Sequence, residues 1–227
     1  KQSAKETMDC IKKTISQNSS YKVFFNDDFS YSVTENNFFY SEDKLGGLKL
    51  PMPNVLGQFQ LENISTAIAT LRTLDLDIKD EHIQRGITKI PSLARLQEIK
   101  SGKLKKLIKN NKLIVDGSHN EDGARVLNEY LQSLDCNKHV IISMMANKEH
   151  KKYISYFKDI SSITTIDLKT QPNSISGKDL KEKFKNMPNV QYQPSIEQAI
   201  KSINLKEGDL LLVTGSLYGA AEVLSLN

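Results

Sequence analysis

An α/β fold is predicted by two features of the sequence: strands that alternate with helices over its C-terminal part, and enough apolar residues to form a core. From about Ile90 onwards, short apolar runs alternate with segments of helical periodicity. Such alternation is typical of βαβ units, in which helices cover both faces of a parallel sheet. Hydrophobic residues make up 38% of the 227 residues, so the chain can bury a core. The predicted class is therefore a Rossmann-like, mostly parallel sheet with helices on both faces, preceded by a smaller α+β region.

Residues 1–89 are predicted to form the α+β region. A helix is predicted over Lys5–Ser16, and a later one between Leu56 and Leu74, where Leu and Ile recur at helical spacing. Between them, aromatic runs separated by Asn-rich and Asp-rich turns predict an antiparallel meander with strands at Tyr21–Phe25, Phe29–Val33 and Phe38–Tyr40. Gly and Pro residues between positions 46 and 53 mark the exit from the meander.

Residues 90–227 are predicted to form the parallel-sheet domain. Its predicted strands are Lys112–Val115, His139–Met144, Ser162–Leu168, Val190–Tyr192 and Asp209–Val213. The helices predicted to follow them are Glu121–Leu134, Glu149–Lys158, Gly177–Lys185, Ser195–Ile203 and Ser216–Leu224. Ligands of such sheets bind beyond the carboxyl ends of the strands, so the loops that follow the strands are the place to expect a site.

Charge and composition argue against several classes of protein. The 31 Lys and Arg residues are interspersed with 27 Asp and Glu, so no single-faced basic stripe forms and nucleic-acid binding is not expected. No apolar run approaches the about 18 residues of a membrane helix, and Lys1–Asn18 lacks the apolar segment of a signal peptide. Cys10 and Cys136 have no metal or redox spacing, which favours a reducing, cytoplasmic location.

Polar loops follow three of the predicted strands and should share one edge of the sheet; they are Asp116–Asn120, Met144–Lys148 and Thr214–Tyr218. In the first loop, Asp116 closes a strand and His119 precedes a helix, whose free N–H groups attract anions. These side chains suit ribose hydroxyls, an ammonium group, phosphate or carboxylate. The alternative is a plain helix start with Asn120 as its N-cap.

Three further residues are candidates, each with a structural alternative. Ser216 can bind an anion or only cap the last helix. Arg95 lies where the two predicted domains join, as a phosphate-binding fork or as part of a surface ion pair. Asn63 interrupts an amphipathic helix, where it can contact a base or face water. The 227 residues contain no P-loop, dinucleotide-binding Gly motif, serine nucleophile elbow or metal-ligand spacing.

Several short motifs occur in an order that resembles one known family. They are Gly57-x-x-Gln60-x-x-Asn63, Ala94-Arg95-Leu96-Gln97, Asp116-Gly-Ser-His-Asn120, Met145-Ala-Asn-Lys-Glu149 and Val213-Thr-Gly-Ser-Leu-Tyr218. In this order and with these gaps, from about residue 50 to the C-terminus, they resemble folylpolyglutamate synthase/dihydrofolate synthase, a branch of the Mur ligase superfamily.

The resemblance implies an ATP-dependent ligase that adds L-glutamate to a folate or pteroate carboxylate. ATP phosphorylates the carboxylate, and the amino group of glutamate then displaces phosphate from the acyl phosphate. By the same resemblance, ATP is bound by Asn63, Arg95 and Asp116. Glutamate is held by Asp116, His119 and Ser216, and His119 and Ser216 take the catalytic roles.

The resemblance also implies how the chain is organised and what it binds. Residues 1–89 correspond to the C-terminal part of a Mur-type central ATPase domain, and residues 90–227 to the glutamate-ligase domain. The P-loop and the Mg²⁺ ligands of the family are expected upstream, so this chain is expected to be inactive alone. Its expected partners are ATP, folate or dihydropteroate and L-glutamate, bound by a monomer. A peptidoglycan Mur ligase and a non-catalytic nucleotide-binding remnant are the alternatives.

Overall fold

The computed structural model describes residues 5–18, 22–74 and 76–227. The chain divides into two compact units, Lys1–Pro91 and Ser92–Asn227, which are described separately. No helix in the described ranges is long and apolar enough to cross a membrane.

The first unit combines a three-stranded antiparallel sheet with helices. The strands are β1 (Phe29–Val33), β2 (Asn37–Glu42) and β3 (Leu48–Pro51), in the order β1-β2-β3, and the helices are α1 (Lys5–Ser16), α2 (Gln58–Thr73) and α3 (Asp80–Ile87). Alternate strand residues such as Phe38 and Leu50 are buried. They form one core with Ile68 of α2 and Ile83 of α3. The unit therefore buries the apolar face of its sheet under two helices.

The predicted meander is corrected at both ends. Tyr21 lies outside the described residues, and residues 22–25 form no strand but only an isolated bridge between Phe25 and Phe29. There the chain turns at Asn26, whose φ is +69°. The third strand of the sheet is instead β3, which lies in the segment that was predicted to lead out of the meander. Only two apolar residues alternate in β3, which is too weak a pattern to predict a strand, and an edge strand tolerates Pro51.

The second unit contains a six-stranded sheet flanked by helices. Its strands are β4 (Gln97–Glu98), β5 (Lys112–Val115), β6 (Lys138–Ile142), β7 (Ser162–Ile166), β8 (Val190–Gln193) and β9 (Leu210–Thr214). Its helices are α4 (Lys103–Leu107), α5 (Glu121–Gln132), α6 (His150–Ser155), α7 (Gly177–Lys183), α8 (Ile196–Ser202) and α9 (Leu217–Leu226). The strand order is β4-β5-β9-β6-β7-β8, and every pair except β4–β5 is parallel. The predicted fold class is confirmed.

The two faces of this sheet are covered by different helices. Leu113, Val115, Leu211 and Val213 face a core formed with α4, α8 and α9. On the other face, α6 packs against both α5 and α7. Strands β5 and β9 are neighbours, but the helices that follow them, α5 and α9, pack in these different groups. Such a switch opens a crevice between the carboxyl ends of the two strands, and open α/β sheets bind ligands in such crevices.

Candidate functional site at the carboxyl edge of the sheet

The two loops that follow β5 and β9 meet at the carboxyl edge of the sheet, where the strand order places the expected crevice. The backbone N–H of Asp116 donates to Val213 O at 2.9 Å, and that of Gly215 donates to Ser118 O at 3.1 Å. A third loop joins them, because Ser143 N–H, at the end of β6, donates to Thr214 O at 3.3 Å. The loops that the sequence placed at one edge therefore lie side by side.

Asp116 is buried, with 6% of its surface exposed, and both of its carboxylate oxygens accept backbone hydrogen bonds. Oδ2 accepts from Leu96 N–H and Oδ1 from Ser118 N–H, each at 2.9 Å. The carboxylate thus ties the segment around Arg95 to the loop after β5. This positioning role was not visible in the sequence, because it depends on two backbone groups on opposite sides of Asp116 in the chain.

Arg95 is exposed and lies between two residues in the left-handed region. Ala94 has φ +52° and Leu96 has φ +50°. Such conformations cost non-glycine residues of order 1–3 kcal/mol unless the surroundings hold them. Here Ala94 O accepts from Gly117 N–H at 2.8 Å, and Leu96 N–H donates to the Asp116 carboxylate. Within the described ranges no carboxylate pairs with the Arg95 guanidinium, so the ion-pair alternative has no support there.

His119 is half-buried and has one ring nitrogen engaged. Its Nδ1 lies 3.0 Å from Gly117 O. Because a carbonyl oxygen only accepts, Nδ1 is the donor, and in the tautomer with one ring proton Nε2 is then an acceptor. No residue in the described ranges bonds to Nε2. The neighbouring Asn120 is the N-cap of α5, as its structural alternative predicts, and accepts from Gly123 N–H at 2.9 Å.

Ser216 caps helix α9 and is 2% exposed. Its Oγ accepts from Tyr218 N–H at 3.1 Å, while its own O–H has no acceptor among the residues that the structure describes. The preceding Gly215 has φ +94°, and a Cβ there would lie 2.6 Å from Ser143 O. Only glycine therefore lets Ser216 reach this position. Ser216 can cap the helix and bind a ligand at the same time, because the cap uses a lone pair of Oγ and leaves the hydroxyl proton available.

A closed set of three hydroxyl groups, here called the hydroxyl ring, lies beneath the crevice. Tyr153 OH is 2.9 Å from both Ser118 Oγ and Thr214 Oγ1, and the latter two are 3.3 Å apart. Burial raises the pKa of Tyr153 well above its ordinary value, so the phenol stays neutral. Sequence reasoning missed Tyr153, because an aromatic residue on a helix reads as part of the apolar core.

Asn63 belongs to the first unit. It is exposed on α2, and its Nδ2 donates to the buried Gln60 Oε1 at 3.3 Å. The second unit thus brings together four of the predicted site residues, Arg95, Asp116, His119 and Ser216, and Asn63 is described only within its own unit. In the described ranges no group of three or more His, Cys, Asp or Glu residues could hold a metal ion.

The fold is that of a Mur-type ligase domain. Residues 95–217, more than half of the chain, match the family model described as Mur ligase, glutamate ligase domain. The chain belongs to this family.

Within this family, the chain is similar to dihydrofolate synthase/folylpolyglutamate synthases. The chain is 24% identical over 178 residues to the dihydrofolate synthase/folylpolyglutamate synthase of Bacillus subtilis, covering 75% of this chain and 39% of that protein. It is 26% identical over 204 residues to the Escherichia coli protein of the same name, covering 88% and 44%.

Solved structures show the same fold. E. coli FolC in complex with ADP aligns with a TM-score of 0.79 at 24% identity, over 95% of this chain and 50% of that one. The Thermotoga maritima folylpolyglutamate synthase aligns with a TM-score of 0.75 at 21% identity, over 99% and 54%. The chain therefore spans about half the length of the proteins it matches.

Proposed function

We propose that this chain is the C-terminal portion of a folylpolyglutamate/dihydrofolate synthase and carries its glutamate-binding crevice. The parent enzyme joins L-glutamate to a folate or pteroate carboxylate at the expense of ATP. In this proposal residues 1–89 correspond to the end of the central ATPase domain, and residues 90–227 correspond to the glutamate-ligase domain. The observation that carries the proposal is the hydrogen bond from Gly215 N–H to Ser118 O at 3.1 Å, which joins the loop of His119 to the loop that begins α9 in a glutamate-ligase fold.

The reaction needs an activated carboxylate, because a carboxylate is a poor electrophile. Transfer of the γ-phosphoryl group of ATP gives an acyl phosphate and ADP. Attack by the glutamate amine on the acyl carbon then forms the amide, releases phosphate and frees a proton. The geometry of His119 suits the ammonium group of glutamate, because Nε2 is an acceptor when Nδ1 donates to Gly117 O. Ser216 O–H and the α9 N-terminus suit a carboxylate or the departing phosphate.

ATP is assigned to Arg95, Asp116 and Asn63 in the same proposal. The exposed guanidinium of Arg95 can bind phosphate as a fork. Asp116 supports it by fixing the left-handed segment around Arg95, and its remaining lone pairs are the ones available to a ribose hydroxyl. Asn63 offers an amide to the adenine. The described residues include no metal-ligand cluster, so they do not fit a Mg²⁺ site.

The folate branch is favoured over the alternatives of a peptidoglycan Mur ligase and a nucleotide-binding remnant. The curated relatives in B. subtilis and E. coli are both dihydrofolate synthase/folylpolyglutamate synthases. A monomeric state and a cytoplasmic location belong to the same proposal, and the unpaired thiols of Cys10 and Cys136 accord with a reducing compartment.

Calorimetric titration of the 227-residue chain tests the proposal. L-Glutamate should bind to the wild-type chain more tightly than D-glutamate, since the crevice fixes the ammonium and carboxylate groups separately. Ser216→Ala should weaken the L-glutamate complex by roughly five- to tenfold, the range of one hydrogen bond. Asp135→Asn, an exposed position outside the crevice, is the matched control and should bind like the wild type.

The chain alone should not complete the ligation, because its 227 residues contain no phosphate-cradling P-loop. Release of ADP that depends on both folate and L-glutamate, catalysed by the purified chain, would contradict this part of the proposal.

A further inference from the structure

We infer that Tyr153 is a positioning residue for the ligase reaction, which orients His119 and Ser216 through the hydroxyl ring. The ligase reaction in this inference rests on the proposed function, whereas the hydrogen bonds of Tyr153 do not depend on it. Tyr153 is 1% exposed, so it touches no substrate and must act through its neighbours.

The hydroxyl ring joins the two loops that carry the proposed catalytic pair. Ser118 directly precedes His119, and Thr214 lies two residues before Ser216. Tyr153 OH contacts both hydroxyls at 2.9 Å. Three hydroxyl groups in a closed set can each donate once and accept once, and a buried set of this kind fixes the rotamers of all its members.

The phenol itself is held in place from the other side. Tyr153 N–H donates to Glu149 O at 2.9 Å, and its ring packs against Phe157 with centroids 5.4 Å apart. The start of α6 is tied to the third loop as well, since His150 Nε2 lies 3.0 Å from Met145 O. Tyr153 is therefore a fixed point from which one hydroxyl reaches both sides of the crevice.

The location of the hydroxyl argues against a role in core packing alone. A phenylalanine ring would fill the same apolar space, whereas the Tyr153 oxygen bonds to two residues, both at the crevice. Loss of this oxygen leaves Ser118 Oγ with only Thr214 Oγ1 at 3.3 Å. Ser118 could then rotate and release the turn in which His119 Nδ1 donates to Gly117 O.

The test compares Tyr153→Phe with Tyr156→Phe in the full 227-residue chain. Tyr156 is the C-cap residue of the same helix and is partly exposed, so its variant is a matched control. The readout is the ¹⁵N NMR signal of the His119 ring, which reports the ratio of the Nδ1–H to the Nε2–H tautomer. In Tyr153→Phe this ratio should fall by roughly two- to tenfold, the range that one net hydrogen bond allows, and Tyr156→Phe should leave it unchanged.

A change of tautomer ratio confined to Tyr153→Phe supports the inference, whatever happens to the melting temperature. An unchanged His119 spectrum overturns it: with a lowered melting temperature Tyr153 is only structural, and with an unchanged one it has no role. If Tyr153→Phe does not fold, Thr214→Val breaks the same ring from the sheet and is judged by the same spectrum.

The His119 readout needs no substrate, so it separates the two claims. A shifted tautomer in a chain that never binds L-glutamate would uphold the positioning and refute the proposed function. An unshifted tautomer in a chain that binds L-glutamate would do the reverse.

Discussion

The two edges of the large sheet hold the same kinds of side chain but use them differently. At the amino edge, His139 lies 2.7 Å from Ser162 Oγ through Nδ1 and 3.2 Å from Asp209 Oδ2 through Nε2. At the carboxyl edge, His119 uses only Nδ1, bonded to Gly117 O. Both edges thus contain an aspartate, a histidine and a serine, and they differ in whether the histidine keeps an unused nitrogen.

The aspartates follow the same contrast. Asp209 is 2% exposed and holds its own edge together: it accepts from the Asn137 amide at 2.9 Å and from Lys206 N–H at 2.7 Å, besides facing His139. Asp116 accepts only backbone groups, which orients Arg95. Residue type therefore does not distinguish a structural cluster from a candidate site. The distinction lies in side-chain atoms, such as His119 Nε2, that have no hydrogen-bond partner among the described residues.

The largest expected effect is on stability at the amino edge. Asp209→Asn replaces one carboxylate oxygen with an NH₂ group, so either the Asn137 amide or Lys206 N–H loses its acceptor and faces another donor. The free energy of unfolding at neutral pH should fall by about 1.5–3 kcal/mol, measured by urea denaturation. L-Glutamate binding at the opposite edge should be unchanged. Loss of binding in a variant that unfolds normally would show that the two edges are not independent.

His119→Ala should produce the opposite pattern and a slightly smaller effect. L-Glutamate affinity should fall roughly tenfold to a hundredfold, because a charged hydrogen bond is lost, while the half-buried ring contributes little to stability. His139→Ala is the matched substitution at the other edge and should lower the melting temperature while preserving affinity. Equal losses of stability in both variants, with unchanged binding, would remove His119 from the site.

The contribution of the Asp209 carboxylate to the free energy of unfolding should decrease as the pH falls. Burial alone would raise the pKa of Asp209, but the hydrogen bonds from Lys206 N–H, Asn137 and His139 together lower it below its ordinary value. A lowered folded-state pKa means that the carboxylate stabilises the fold above its unfolded value of about 3.9, and that this contribution disappears as the pH falls through the folded value. The stability gap between wild type and Asp209→Asn should therefore narrow below about pH 4. A gap that stays constant from neutral to acidic pH would contradict this assignment.

Local patterns predicted the elements of the second unit well. Strand β5 has the predicted bounds, Lys112–Val115, because a short apolar run between polar residues defines a buried strand. Helix ends were less accurate: α6 ends at Ser155 and not at Lys158, since apolar periodicity continues past the last helical turn. The predicted join between residues 89 and 90 is close to the boundary of the compact units at Pro91, although the roles given to the two parts stay predictions.

The strand order and the fine structure of the site could not be predicted from local patterns. Strand β9 lies between β5 and β6 because of pairings between residues about a hundred positions apart, such as Lys112 with Leu210, which leave no mark in either segment alone. The left-handed residues around Arg95 depend on the Asp116 carboxylate in the same way. The hydroxyl ring depends on three separate segments, so Tyr153 gave no signal beyond that of an apolar residue.

The most direct test of the central claim is residue-resolved mapping of ligand binding by NMR on the full 227-residue chain. Titration with L-glutamate and with ADP should shift the amide signals of residues 117–120 and 215–218, at the carboxyl edge. Signals of the amino edge around His139 and Asp209 should stay in place. Shifts centred on the amino edge, or no shifts at residues 117–120 and 215–218 at saturating ligand, would contradict the assignment of the site.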